Sequence, residues 1–274
     1  MIQFLSILLV LLAATPVWAF HPEDGIDANF TLTHFDFTEF DDMQMPSVSE
    51  KGWIYGGELE GRKSFGRLYL QMNASLHQGT VTYNGQTQLS EQPHQTDTVE
   101  TLADYSFSIG RSYESWRRYD YAFIYGGLGI HQWVRDIKQQ GSVIGLYEVY
   151  RWMYAHVGAR GYLFHLGPVH FFGEMSLLRT LFPRMTLDSY GVYPDVDIPL
   201  GEHYGAKFVL PIRIHIGRRF QMNIEPFFET WDLGRSEHID ITTSDNIAVG
   251  SGVHEPRSAS RFYGVNIGFT MRFD

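Results

Sequence analysis

The sequence contains no cysteine and only four lysines among its 274 residues. Without cysteine no disulfide can hold a small scaffold together, so stability must come from hydrogen bonding and packing. The scarcity of lysine argues against a soluble, lipocalin-like barrel, because such a barrel has an exterior rich in lysine and glutamate. The formal net charge of −10 argues against nucleic acid or anionic lipid as a general partner.

A long apolar run occurs only at the start of the sequence. Residues 1–19 are apolar and end in Val17, Trp18 and Ala19, a pattern typical of a signal peptide although no lysine or arginine precedes it. We expect cleavage after Ala19, with a single mature domain of residues 20–274; a buried N-terminal helix is the alternative. After Ala19 no stretch approaches the ~20 apolar residues of a spanning helix, so membrane insertion would have to use strands.

Apolar and polar residues alternate strictly in two segments. Within residues 65–77 the even positions are apolar or glycine and the odd positions are polar or aromatic, and residues 263–273 repeat the pattern. Residues 204–216 and 220–229 have similar faces. Each run has the ~9–11 residues that a tilted transmembrane strand needs. We interpret the apolar faces as lipid-facing.

Six less regular segments bring the predicted number of strands to about ten. They cover residues 30–40, 53–61, 98–111, 119–136, 143–158 and 169–180. In the first, the aromatic residues move from even to odd positions between Leu32 and Phe35, which predicts a bulge or a misplaced strand boundary. Pro211 and Pro226 lie inside predicted strands, where we expect bulges or a locally shifted register.

Short and long connections alternate along the chain, as they do in bacterial membrane barrels. The long ones fall near residues 41–51, 78–97, 183–202 and 236–256. The sequence therefore predicts an all-β protein, a closed antiparallel up-and-down transmembrane β-barrel with both mature termini in the periplasm.

This pattern resembles the small outer-membrane β-barrel proteins of proteobacteria across essentially the whole mature chain. The last strand, from Tyr263 to Phe273, is similar to the C-terminal strand that the barrel-assembly machinery recognises, although Asp274 follows the aromatic residue. The resemblance implies the outer membrane of a Gram-negative bacterium, contact with its lipid and lipopolysaccharide, and assembly by that machinery.

Ten strands and tall loops also look like the omptin proteases, whose catalysis uses an Asp pair facing an Asp-His pair at the extracellular rim. This resemblance makes Asp195, Asp197 and His203 candidate catalytic residues. The second long loop offers Glu91, His94 and Asp97 without the tight spacing of an acidic pair, so the catalytic motif is not matched. The acidic loop of residues 193–203, which contains these candidates, could also hold Ca²⁺ or simply be solvated. Whether the protein is an enzyme stays open, and non-enzymatic is our first expectation.

Alternate positions along the predicted strands face the barrel lumen, and the residues at these positions include charges of both signs. We expect ion pairs and hydrogen bonds to fill the lumen, with a narrow water-filled pore as the alternative. The predicted lumen network consists of Glu58, Arg67, Asp104, Arg213, Glu225, Glu229 and Arg272.

A denser group lies toward the outer ends of two neighbouring strands. Trp133, Arg135, Glu148 and Trp152 share the lumen parity and could bind a carbohydrate or a peptide end by stacking and hydrogen bonding. The alternative is aromatic packing around one Arg–Glu pair.

The sequence favours a structural, binding or adhesion role in which long extracellular loops contact a ligand, surface or partner. A rim hydrolase and a narrow pore are the alternatives. The twelve histidines show no metal-ligand spacing, so we expect neither a metal nor a cofactor.

Overall fold

A computed structural model of the chain describes residues 24–41, 43–86, 92–114, 121–192, 195–238 and 254–273. The predicted signal peptide and its cleavage site lie outside these ranges. Among the described residues, no helix has the length and apolar content that crossing a membrane requires.

The described residues form one antiparallel sheet of twelve strand segments. They are β1 (Gly25–Phe40), β2 (Pro46–Phe65), β3 (Leu68–Gln86), β4 (Pro93–Glu114), β5 (Tyr121–Ile137), β6 (Leu146–Leu166), β7 (Val169–Asp188), β8 (Val196–Pro199), β9 (Tyr204–Val209), β10 (Ile212–His215), β11 (Phe220–Leu233) and β12 (Arg257–Arg272). β8, β9 and β10 follow β7 in one unbroken register and act as a single strand. The wall therefore has ten strands.

Pairing of β12 with β1 closes the sheet into a barrel. The ladder runs from Gly25 opposite Arg272 to Phe40 opposite Arg257. The predicted closed, ten-stranded, antiparallel barrel is confirmed.

The two prolines interrupt hydrogen bonding without changing register. Pro211 separates β9 from β10, yet Val209 opposite Phe227 and Ile212 opposite Ile224 belong to the same register with β11. A proline lacks the N–H that a central ladder uses, so only individual bonds are lost. The bulge or shifted register predicted at these prolines is wrong.

The bulge predicted between Leu32 and Phe35 is also wrong, whereas the strand boundary was indeed misplaced, because β1 begins at Gly25. β1 pairs regularly through this segment, and Phe35 and Phe37 point inward with 0% exposure. The inward face of β1 changes from polar to aromatic along the barrel axis, and this change mimics a change of parity.

The outward face is an apolar band with an aromatic edge. Phe30, Leu128, Val157 and Ile267 lie in the band, each about half exposed. The edge nearer the long loops carries exposed Trp53, Tyr55, Tyr105, Tyr204 and Tyr263. Bands of this kind match the hydrocarbon layer and its interface.

The strands continue beyond this aromatic edge into segments predicted to be long connections. Residues 46–51, 78–86, 93–97 and 183–188 are strand, so these connections are shorter than predicted. Next to Trp53 the outward face becomes polar, with Lys51 Nζ 3.2 Å from the carboxylate of Asp36. β4 has 22 residues, twice the ~10 needed to span a membrane. We call the part of the barrel above the aromatic edge the upper barrel; the opposite end, with tight turns such as Gly66–Arg67, is the short-turn end.

Candidate functional site

Paired charges fill the lumen at the short-turn end. Asp27 accepts hydrogen bonds from Arg62 and, at 3.1 Å, from Arg213, and all three side chains are at most 2% exposed. Glu60 lies 3.1 Å from Arg62 Nε in the same layer. We call this layer the lower plug. Buried charges are tolerated there because each lies against an opposite one.

The predicted lumen network is largely placed inside, with one exception. Glu58, Asp104, Glu225 and Glu229 line the lumen cavity, Arg213 lies in the lower plug, and Arg272 is half-buried at the end of β12. Arg67 was assigned wrongly, because it lies in the exposed turn between β2 and β3, where alternation no longer determines direction. Sequence reasoning missed Arg62, since β2 extends beyond the predicted strand end.

A polar cavity of about 140 Å³ lies above the lower plug. Six carboxylates line it, against one lysine, one arginine and three histidines: Glu58, Glu60, Asp104, Glu174, Glu225, Glu229, Lys207, Arg160, His77, His131 and His156. Several of these are paired, with Arg160 3.3 Å from Glu174 and Lys207 3.5 Å from Glu229. This volume admits on the order of ten waters, a small space for transport.

One cavity contact has the form of a nucleophile and its base. Ser108 Oγ lies 2.8 Å from His156 Nε2. A catalytic serine also needs a carboxylate or similar group to orient the histidine. His156 Nδ1 has no hydrogen-bond partner in the described part of the chain. The pair therefore lacks the third member of a triad.

Arg135 organises a second, buried layer inside the upper barrel, which we call the upper plug. Its Nη1 donates to Glu148 at 2.7 Å and to Glu39 at 3.1 Å, and its Nε donates to Glu50 at 3.2 Å. The guanidinium also lies 4.4 Å above the ring of Phe37. One arginine thus links three strands, β1, β2 and β6, to β5.

Trp133 and Trp152 belong to the aromatic core of this layer. Trp133 stacks on Tyr150 with 4.8 Å between ring centroids and donates its Nε1 hydrogen to Glu100. Trp152 stacks on His131 at 4.3 Å and packs edge-on against Trp231. The four residues proposed for ligand binding therefore lie in one region, but all are buried. Their neighbours already occupy the stacking faces, which favours the packing interpretation over a ligand site.

Glu255 completes the upper plug from outside the strands. It lies just before β12, is 7% exposed, and accepts a 2.6 Å hydrogen bond from the hydroxyl of Tyr150. Burial raises the pKa of Glu255 well above its usual range, and the carboxylates of Glu39 and Glu148 raise it further, while Arg135 opposes the rise. Sequence parity gives no direction for a residue in a connection, so no sequence signal could have found it.

The rim candidates for catalysis do not come together. Asp195 is exposed in a connection, and Asp197 lies on β8, exposed, accepting a 2.7 Å hydrogen bond from Thr186. His203 is instead 3.5 Å from Asp232. Six residue steps of extended chain, roughly 20 Å, lead from Asp197 to His203. The Asp-His arrangement of a rim protease is not formed by these residues.

No group of three or more histidine, aspartate or glutamate side chains is arranged to hold a metal ion in the ranges the structure covers.

Comparison with solved structures identifies the fold of the chain. No protein-family model and no curated protein matches the sequence. Among solved structures, the outer membrane protease OmpT from Escherichia coli superposes with a TM-score of 0.62 at 7% identity, over 95% of this chain and 100% of that chain. The chain has the fold of an outer-membrane β-barrel. At this identity the likeness to OmpT concerns the fold alone.

Two further similar structures are other outer-membrane barrels. The translocator domain of the autotransporter NalP from Neisseria meningitidis gives a TM-score of 0.41 at 9% identity, over 99% of this chain and 94% of that one. The toluene transporter TodX from P. putida gives 0.34 at 8% identity, over 92% and 91% of the two chains. These scores are too low to carry an argument about activity.

Proposed function

We propose that the protein is a non-enzymatic outer-membrane barrel whose upper barrel and long loops contact an extracellular ligand, surface or partner. The observation that carries this proposal is the filled upper barrel. The contacts of Arg135 and Trp133 join neighbouring strands above the lipid band. A protein that served only as a membrane anchor would not need an ordered barrel at this height. A rigid support at that height suits the presentation of loops for binding.

A pore is the weaker proposal. The cavity in the middle of the lumen lies between the lower plug, with Arg62 and Asp27, and the upper plug, with Trp133 and Arg135, and all four side chains are buried. Conduction would require both layers to move.

A rim hydrolase is weaker still, despite the OmpT-like fold. Asp197 and His203 have different partners, Thr186 and Asp232. Catalysis by such a pair requires hydrogen-bond reach between its members or through one water.

The outward face supports the proposed surroundings. Its apolar band suits outer-membrane lipid, and exposed arginines such as Arg151 and Arg184, opposite each other on β6 and β7, suit the phosphates of lipopolysaccharide. We also propose that the barrel-assembly machinery recognises β12 together with Phe273, which follows its last residue.

The test combines a binding assay with planar-bilayer recordings at neutral pH. Purified barrel is applied to an array of immobilised polysaccharides and extracellular-matrix proteins. The comparison is with a variant in which the β3–β4 extension above Thr82 and Asp97, a cross-strand pair, is replaced by a short turn. We expect no conductance steps from either protein, and binding only by the intact one.

The turn variant Arg67→Ser at the opposite end is the matched control and keeps binding. Discrete conductance steps would support the pore instead. Cleavage of a peptide library that stops in Asp197→Asn would support the hydrolase.

A further inference from the structure

The upper plug contains far more carboxylates than cations. Its five buried or nearly buried glutamates are Glu39, Glu50, Glu100, Glu148 and Glu255. In the described residues, Arg135 is the one lysine or arginine that forms ion pairs with this group. Five ionised carboxylates around one guanidinium would leave a large uncompensated charge in a layer packed with aromatic rings, which is strongly unfavourable.

Glu50 and Glu100 are the carboxyls of the upper plug that are most completely removed from solvent. Both residues are 0% exposed. Glu50 accepts hydrogen bonds from Thr98 and Arg135, and one oxygen of Glu100 accepts from Trp133. The other oxygen, Glu100 Oε1, has no donor in the described residues. The two carboxyls are neighbours, because Glu50 is bonded both to Thr98, two residues before Glu100 on β4, and to Arg135, the cross-strand partner of Glu100.

Two ionised carboxylates can only accept hydrogen bonds, so a contact between them needs a shared proton or a bound cation. The glutamates here do not form a metal-binding arrangement among the described residues. A proton on Glu100 satisfies both observations, because it neutralises one charge and donates to Glu50.

Groups from five neighbouring elements face this pair. They are Glu39 on β1, Tyr83 on β3, Arg135 on β5, Glu148 and Tyr150 on β6, and Glu255 before β12. Among them only Arg135 is a cation, and Glu39 and Glu148 already share its Nη1. The surroundings therefore offer no second positive charge to an ionised Glu100.

We propose that Glu50 and Glu100 form a proton-binding site that keeps the upper plug closed. At neutral external pH the proton is bound. At alkaline pH it leaves to water, the two carboxylates repel each other, and Trp133 loses its place between Glu100 and Tyr150. The lumen cavity then opens toward the outside. The proposal does not depend on what the loops bind.

The absence of native cysteine allows a direct test by thiol labelling. Ser106 lines the cavity below the plug, and Gln140 is exposed in the connection between β5 and β6. Single-cysteine proteins Ser106→Cys and Gln140→Cys are treated with a bulky charged maleimide. The ratio of their rates corrects for thiol ionisation. We expect this ratio to rise about tenfold or more from about pH 6 to about pH 9.

Glu100→Gln in the Ser106→Cys protein identifies the site. The amide keeps the acceptor for Trp133 and donates to Glu50 at every pH, so labelling stays slow throughout. Glu202→Gln is the control, because Glu202 is exposed and paired with Arg179 at the rim. In this variant the labelling rate rises with pH as it does in the parent protein.

The proposal would be overturned if the ratio of labelling rates in the folded parent protein did not change with pH. It would also be overturned if this ratio still rose with pH in Glu100→Gln. If the Glu100→Gln barrel fails to assemble, Glu50→Gln serves as the site variant, and a rise that persists in it would equally overturn the proposal.

Discussion

The two plugs both close the lumen, but they compensate their buried charges in different ways. In the lower plug, Asp27 lies between Arg62 and Arg213, so charges alternate and compensate one another. In the upper plug, Arg135 faces several carboxylates, and aromatic rings such as Trp133 fill the remaining space. A lumen inside the lipid band can be closed by balanced ion pairs, whereas the upper barrel depends on one cation, aromatic packing and protons.

Removing the central arginine of each plug gives the largest expected difference. Arg135→Met takes the shared cation from Glu39, Glu50 and Glu148, and we expect a loss of about 3–5 kcal/mol in the free energy of unfolding. Arg62→Met leaves Arg213 in contact with Asp27, so we expect a smaller loss of about 1–3 kcal/mol. Urea unfolding in micelles, followed by tryptophan fluorescence, measures both. Equal losses would remove the distinction between the plugs.

The boundary between lipid band and upper barrel can be located on β5. Leu128 and Gln132 lie on the same outward face, four positions apart, below and above the aromatic edge. We expect Leu128→Arg, which places a cation just inside the lipid band, to cost about 2 kcal/mol, and Gln132→Arg about 0–1 kcal/mol, because the cost falls toward the interface. The yield of heat-modifiable, folded barrel in liposomes reports the difference. Comparable yields would mean that Gln132 also faces lipid.

The pH dependence of stability separates the plugs further. The folded-state pKa of Glu255 is raised above its unfolded value, chiefly by burial. The stability it contributes is fully present at low pH, below the unfolded pKa, and is lost as pH rises through the folded pKa. We therefore expect the free energy of unfolding to fall on the alkaline side and to fall less in Glu255→Gln. The exposed Glu237→Gln is the control, and its profile should follow the parent; a Glu255→Gln profile that also follows the parent would contradict this assignment.

We expect the smallest change in stability from removing an exposed hydrogen bond at the rim, and this change serves as a baseline for the other variants. The Tyr190 hydroxyl donates to Asp136, and Tyr190 is 56% exposed. Partial burial and this hydrogen bond raise the pKa of Tyr190 to about 12. We expect Tyr190→Phe to change stability by less than about 0.5 kcal/mol. A tyrosinate absorbance titration should lose one group that ionises near that pKa; loss of an ordinary tyrosine transition would show that the contact does not form in solution.

Alternation predicted the wall of this barrel well, because one side of each strand must meet lipid. Leu128 and Ile267 follow that rule. The rule failed where the lumen itself became apolar, at Phe35 and Phe37, and where a turn replaced a strand, at Arg67. Parity records which residues share a face, and it distinguishes lipid from lumen only when the lumen is polar.

The contacts of the site could not be derived from the sequence. Arg135 meets Glu39, which lies on β1 across the lumen, and Tyr150 meets Glu255 in a connection. Such neighbours depend on strand tilt and barrel diameter, which no local pattern encodes. Asp197 and His203 illustrate the converse, because closeness in sequence suggested a pair that an extended strand keeps apart.

Closure of the wall by β1 and β12 has a consequence for how the protein folds. Gly25 and Arg272 are partners from opposite ends of the described chain, so their ladder is the pairing with the largest loss of loop entropy. Until it forms, β1 and β12 each present an unpaired edge that can add strands from another molecule. We expect assembly to be slow and cooperative, and a chain that ends before Arg257, the first residue of β12, to aggregate rather than form a nine-stranded barrel.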